Sequence, residues 1–168
     1  KPLKRVEWVD VDQIAKKEKN EWINTKLKKN KKKYKVKIRL KGTHSDHYND
    51  PKKWSFNVKL KNKSFNGIKR FTIQPPKTSN FLNEWIFQKA IHYNDLISRR
   101  IDFYSLIVNG NKLGLYFFQE DITKQLIENN YLREGPIVSY DKSNWVKDIN
   151  NEISTENAFL ESNIKVDY

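Results

Sequence analysis

The 168-residue chain contains no cysteine and no methionine, and only five glycines and five prolines. Without cysteine it has neither a disulfide framework nor a thiolate metal site. The redox compartment stays open, because exported proteins can also lack cysteine. No methionine stands even at position 1, so a processed or excised chain is expected. Long apolar runs are missing as well. Stretches such as 106–108 and 115–118 fall far short of the roughly 20 residues a membrane helix needs. No signal peptide is visible. Acid is scarce in one half only. Residues 1–70 hold 23 Lys and Arg against 7 Asp and Glu, while 71–168 hold 10 against 13. The net charge of +13 is therefore concentrated in the N-terminal part, as suits phosphate, nucleic acid, anionic lipid or an acidic protein. The simpler explanation is a set of solvated lysines. Aromatics, by contrast, are plentiful at 13% of residues, enough apolar area for one folded domain despite 37% hydrophobic residues overall.

Hydrophobic periodicity places the elements. Asp10 or Asp12 caps a short helix to about Asn20. Residues 22–28 alternate imperfectly, 29–33 turn, and Tyr34, Val36, Ile38 and Leu40 alternate with Lys35, Lys37, Arg39 and Lys41. That is a hairpin whose second strand has one cationic face. A polar loop at 41–53 precedes an alternating strand carrying Trp54, Phe56, Val58 and Leu60. Asn66-Gly67 signals a tight turn, and Phe71 and Ile73 mark a strand that Pro75-Pro76 ends. Ser79 or Asn80 caps the principal helix, which runs to Tyr93 with a broad apolar face including Phe81, Trp85, Ile86 and Phe87. A second hairpin turns at Asn109-Gly110-Asn111, and a helix from Asp121 or Thr123 to Asn130 follows. Val138-Ser139-Tyr140 reads as a short strand, and 156–161 as a possible helix. The order implies an α+β fold: a mostly antiparallel sheet with one principal helix packed on it.

The loop 41–53 is where chemistry could sit. It holds Gly42, Thr43, Ser45, Lys52 and Lys53, with Lys59 on the next strand. Glycine lets backbone N–H groups approach a ligand, and hydroxyls and ammonium groups bind phosphate oxygens. A plain surface loop explains the same composition, since neither GxGxxG nor GxxxxGK[ST] spacing is present. His44, Asp46, His47 and Asp50 are chemically able to hold zinc but crowd into one loop. His92 reads as structural. Glu84 is the one acid on the principal helix and is suited either to pair with a lysine or simply to face the helix dipole. No Ser/His/Asp nucleophile arrangement is visible. Lys35, Lys37, Arg39 and Lys41 would suit a phosphate backbone, but most aromatics lie in the apolar phase, which makes nucleic acid the weaker expectation.

Two ordered motifs add a resemblance. Lys37-Ile-Arg-Leu-Lys-Gly-Thr-His-Ser45 followed by Pro51-Lys-Lys-Trp-Ser-Phe-Asn-Val-Lys-Leu60 resembles the opening of the CotH kinase family, atypical protein kinases of the spore-coat-protein-H type. Asn109-Gly110 and then Gly114-Leu-Tyr-Phe-Phe-Gln-Glu120 are similar to that family's Asn-Gly-x-x-x-Gly-x-Tyr-x-x-x-Glu signature. The resemblance spans 22–141; Thr43-His44 departs from the family's usual Asn-Ser-like residues. It implies a kinase-like small lobe and hinge over 1–141, with 142–168 opening a C-terminal region. Gly42 and Ser45 would belong to the phosphate-covering loop. Lys59, with Lys53 as rival, would bind phosphate, and Glu84, with Gln88 as rival, would be its helix partner. The hinge at 118–121 would present Gln119 and Glu120 to adenine, with Arg39 and Arg100 as lesser candidates. The implied cofactors are ATP and magnesium. The implied substrates are Ser/Thr of acidic or Ser-rich coat or surface proteins, in an extracytoplasmic, cell-surface or spore-coat setting. The catalytic and metal-binding acids of the family lie in a large lobe beyond 141, so this chain alone is expected to be inactive. The alternatives are a non-catalytic binding or structural module and a basic nucleic-acid-binding domain.

Overall fold

A computed structural model describes residues 4–9, 22–29, 31–41, 50, 53–140 and 164–167, with β1 and Asp167 described by backbone alone. The expected helix at 10–20, the one at 156–161 and most of the loop 41–53, Gly42 and Ser45 included, lie outside these residues.

The fold is α+β and dominated by antiparallel strands. These are β1 (Lys4–Val9), β2 (Ile23–Lys29), β3 (Lys32–Leu40), β4 (Phe56–Leu60), β5 (Arg70–Gln74), β6 (Ile101–Val108) and β7 (Asn111–Glu120). They close into a barrel in the order β1-β2-β3-β4-β5-β7-β6. Each neighbouring pair is antiparallel except the closing one, in which β1 runs parallel to β6 with Val6 opposite Leu106. A separate ribbon pairs β8 (Ile137–Tyr140) with β9 (Ile164–Asp167).

The strands follow from period-2 patterning. Val36 and Ile38 on β3, Val58 on β4, Ile73 on β5, Leu106 on β6 and Tyr116 on β7 all point inward and are buried. Their neighbours Lys35, Lys37 and Arg39 point outward. Asn66 (φ 53°) and Gly67 (φ 78°) form the tight turn their sequence announces, and Asn109 (φ 48°) and Gly110 (φ 81°) form another. The first of these turns folds Phe65 into the barrel end. There its ring lies 5.7 to 6.1 Å from the rings of Tyr34, Phe71, Tyr104 and Phe118. The cluster plugs that end with aromatic area.

The principal helix differs in detail from the sequence expectation. Pro76–Ser79 form a 3-10 turn, Asn80 and Phe81 take left-handed φ of 46° and 58°, and helix α1 starts only at Asn83 and ends at Tyr93. Ser79 and Asn80 therefore do not cap it. The Ser79 hydroxyl is taken by the Gln74 amide, which donates to it, and Leu82 occupies the cap position with no side-chain bond. The helix rests on the barrel through Gln88, while Phe81, Leu82, Ile86 and Phe87 stay about half exposed or more. A second helix, α2 (Lys124–Asn129), has Thr123 at its cap position. Among the described residues no helix is long and apolar enough to cross a membrane.

Candidate functional site

Three features of the sequence meet at one groove of about 660 Å³. Its walls are Asp50 and Lys53 at the end of the 41–53 loop, Pro75 to Thr78 in the turn after β5, Phe81, and Leu115 on β7. Proline ends β5 because it cannot donate to the ladder, and the chain then swings outward over the barrel wall. The Lys53 backbone N–H donates to Asp50 Oδ1 at 3.1 Å, which tucks the loop end toward the wall. The Lys53 ammonium lies 3.9 Å from the place a side chain would start at Gly114. Gly114 itself has φ +86°, which favours glycine, beside a register shift at Leu106/Ile107. The groove thus has lysines 53 and 77 at its rim and prolines, a phenyl ring and a leucine as its apolar lining.

Near the groove, polar bonds tie Lys41 to β5 and join α1 to the outer face of β7. The Lys41 ammonium donates to Gln74 Oε1 at 2.6 Å. Glu84 accepts from Gln119 Nε2 at 2.8 Å and from Gln88 Nε2 at 3.2 Å. Gln88 Oε1 accepts the Arg99 backbone N–H at 2.7 Å. Arg99 reaches the Glu120 carbonyl with Nε at 2.6 Å and stands 4.0 Å from Asp121. Burial pulls its guanidinium below the ordinary arginine range, and Asp121, Glu84 and Glu120 push it back.

Lys59 and Glu84 do not meet. Lys59 points outward from β4, opposite both Lys37 and Arg70, with its ammonium 4.3 Å from the centre of the Trp22 ring. Desolvation lowers its pKa, and the Arg70 and Arg39 charges lower it further. Among the described residues the carboxylate acting on it is Asp121, which is 3.7 Å from Arg70. Arg39 also stacks on Trp22, at 4.8 Å, and its Nε is buried without a hydrogen-bond partner.

Residues 118–121 are held by the barrel. The Glu120 N–H donates to the Arg100 carbonyl at 3.0 Å and the Asp121 N–H to the Arg70 carbonyl at 3.1 Å. The Glu120 side chain is 1% exposed. Arg100 grips it with two bonds, Nε to Oε2 at 2.8 Å and Nη2 to Oε1 at 3.0 Å, and Asn129 Nδ2 adds a third at 3.1 Å. Arg100 Nη1 donates to the Asn66 carbonyl at 2.5 Å, so this ion pair also pins the turn that carries Phe65.

Of the candidate residues, Glu84, Gln88 and Gln119 share one network, Lys53 stands at the groove, Lys59 faces Trp22, and Glu120 sits in the barrel end. Gly42 and Ser45 lie outside the described residues. Sequence reasoning missed Lys77 and Thr78, which follow the two prolines that had read only as a strand stop. It also assigned Phe81 to a packed helix face; the ring is 62% exposed and lines the groove. Among the described residues no three His, Cys, Asp or Glu group to hold a metal ion. No family model and no curated protein matches this chain.

Proposed function

We propose that this chain is the nucleotide-facing, β-rich part of a CotH-like protein kinase domain, and that the groove beside Lys53 takes the nucleotide. The observation that carries the reading is the convergence of the two motifs behind the resemblance: Lys53 from one stands against Gly114 from the other, 61 positions apart, beside a groove that Lys53 and Leu115 line. The chemistry suits ATP. Lysines 53 and 77 supply point charges for phosphate oxygens. Phe81, Pro75, Pro76 and Leu115 supply an apolar surface for a base. In this reading Lys53, rather than Lys59, meets the phosphates, because the Lys59 ammonium is turned to Trp22.

Phosphoryl transfer rests on positioning and on metal-held charge. In this reading the chain binds and orients the nucleotide. The acids for the metal and for proton removal would come from a second lobe. The open apolar face of α1, with Leu82, Ile86 and Phe87 exposed, supports such a neighbour. The substrate, Ser/Thr of coat or surface proteins outside the cytoplasm, rests on the resemblance.

Calorimetry with Mg-ATP tests the binding. Weak binding is expected for the 168-residue chain, falling about tenfold in Lys53→Ala as one charge-assisted contact is lost. Equal binding by wild type and by a Lys53→Ala/Lys77→Ala pair would contradict the assignment. Robust phosphotransfer by the chain alone would contradict its assigned incompetence. The missing Lys59–Glu84 pair favours a second reading, a non-catalytic binding module. That reading expects alanine at Lys53, Lys59 and Glu84 to leave partner binding intact.

A further inference from the structure

The outer wall of β2, β3 and β4 carries a different pattern, and it stands independently of the nucleotide reading. Along β3 every outward position is a cation: Lys33, Lys35, Lys37 and Arg39. Successive outward residues on a strand are about 6.6–6.8 Å apart. The rows continue across the sheet, with Lys26 opposite Lys35, and Lys37 opposite Lys59, which is itself opposite Arg70. Directly opposed side chains start only about 4.5–5.5 Å apart, and like charges so placed repel. Among the described residues no ion pair relieves Lys35, Lys37 or Lys59; one acid, Asp121, stands at the far end of the row, 3.7 Å from Arg70. The wall retains a repulsion that folding alone does not need.

We infer that this wall is a docking surface for an extended acidic polypeptide segment. An extended chain with Asp or Glu at alternate positions repeats its carboxylates at the same spacing as the β3 cations. It can therefore lie along β3 with one carboxylate between each pair of opposed lysines. Strands β2, β3 and β4 are each paired on both sides within the closed barrel. The partner cannot add itself as another strand, so side-chain charge rather than backbone bonding holds it. Trp22 is the aromatic of this wall, and its ring is already engaged by Arg39 and Lys59. Among the described residues this wall offers no other stacking platform of the kind single-stranded nucleic acid uses.

The test is fluorescence anisotropy with the full 168-residue chain and three labelled probes: a peptide of alternating Glu and Thr, a peptide of the same composition with its Glu in one block, and a short DNA duplex. The alternating peptide is expected to bind about tenfold tighter than the block peptide, and affinity should fall steeply with salt. Lys35→Glu/Lys37→Glu should abolish the binding, and Lys35→Gln/Lys37→Gln, a gentler change, should weaken it about tenfold. Lys89→Glu/Lys112→Glu, the same charge change elsewhere on the surface, should cost less than about threefold. Equal affinity for the two peptides, tighter binding of the duplex, or wall variants that behave like the Lys89/Lys112 control would each overturn the inference.

Discussion

Two groups of charged residues divide this molecule. At the barrel end, Arg100 and Glu120 face each other in a two-bond pair, with Asn129 and the Asn66 carbonyl satisfying what remains. On the outer wall, Lys35, Lys37 and Lys59 form a group of one sign with no ion pair among the described residues. The first group is closed within the protein, so its charges hold structure. The second is open and mutually repelling, so its charges are available to something else. The difference shows how to tell a structural cation from a binding one: by whether the protein itself has supplied the anion.

Substitutions can sharpen or break this contrast. The largest effect should come from the plug that the barrel-end pair secures: Phe65→Ala is expected to cost about 3–5 kcal/mol in chemical denaturation, because its ring packs among four others. Glu120→Ala should cost about 2–3 kcal/mol. That is below the full value for a buried pair, because the Arg100 side chain is 41% exposed and regains water. Gly67→Ala should cost about 1–2 kcal/mol, since φ is +78° and the new Cβ would meet Asn129 Oδ1 at 2.9 Å. On the wall the sign should reverse. Lys59→Met is expected to raise stability by up to about 1 kcal/mol by removing a like charge from the row.

The same contrast has a pH signature. The folded-state pKa of Lys59 lies below its unfolded value, so its charge opposes folding while the lysine is protonated. That penalty is present below the folded pKa and fades as pH rises from there toward 10.5. Wild type and Lys59→Met should therefore converge in melting temperature across that alkaline window. Divergence there would show that the cost of desolvating and crowding the Lys59 charge is not what distinguishes them.

Much of the barrel was legible because alternation is local. The β3 pattern of Tyr34, Val36 and Ile38 against lysines, and the two Asn-Gly turns, need only neighbouring residues to be read. Closure was not legible: β1 meets β6 across about a hundred residues, and β9 returns to β8, neither with a local signal. The start of α1 was misplaced because Ser79 is a good cap in isolation but is taken by Gln74 in the folded chain. For the site, Lys53 and Gly114 were each visible as motif residues, while their juxtaposition was not. Glu84 was read as an acid that either pairs with a lysine or simply faces the helix dipole; in the folded chain it has a partner. That partner is an amide cluster, because Lys59 lies on β4 facing Trp22 while Glu84 lies over β7.

Both charge groups serve as internal controls for the groove. Backbone amide shifts of the labelled chain, titrated with Mg-ATP, separate the three regions in one experiment. Shifts are expected to cluster at Lys53, Lys77, Thr78, Phe81 and Leu115, with the amides of Arg100 and Glu120 unmoved. Shifts confined to the outer wall around Lys37 and Lys59, or no shifts at all, would contradict the assignment of the groove to the nucleotide.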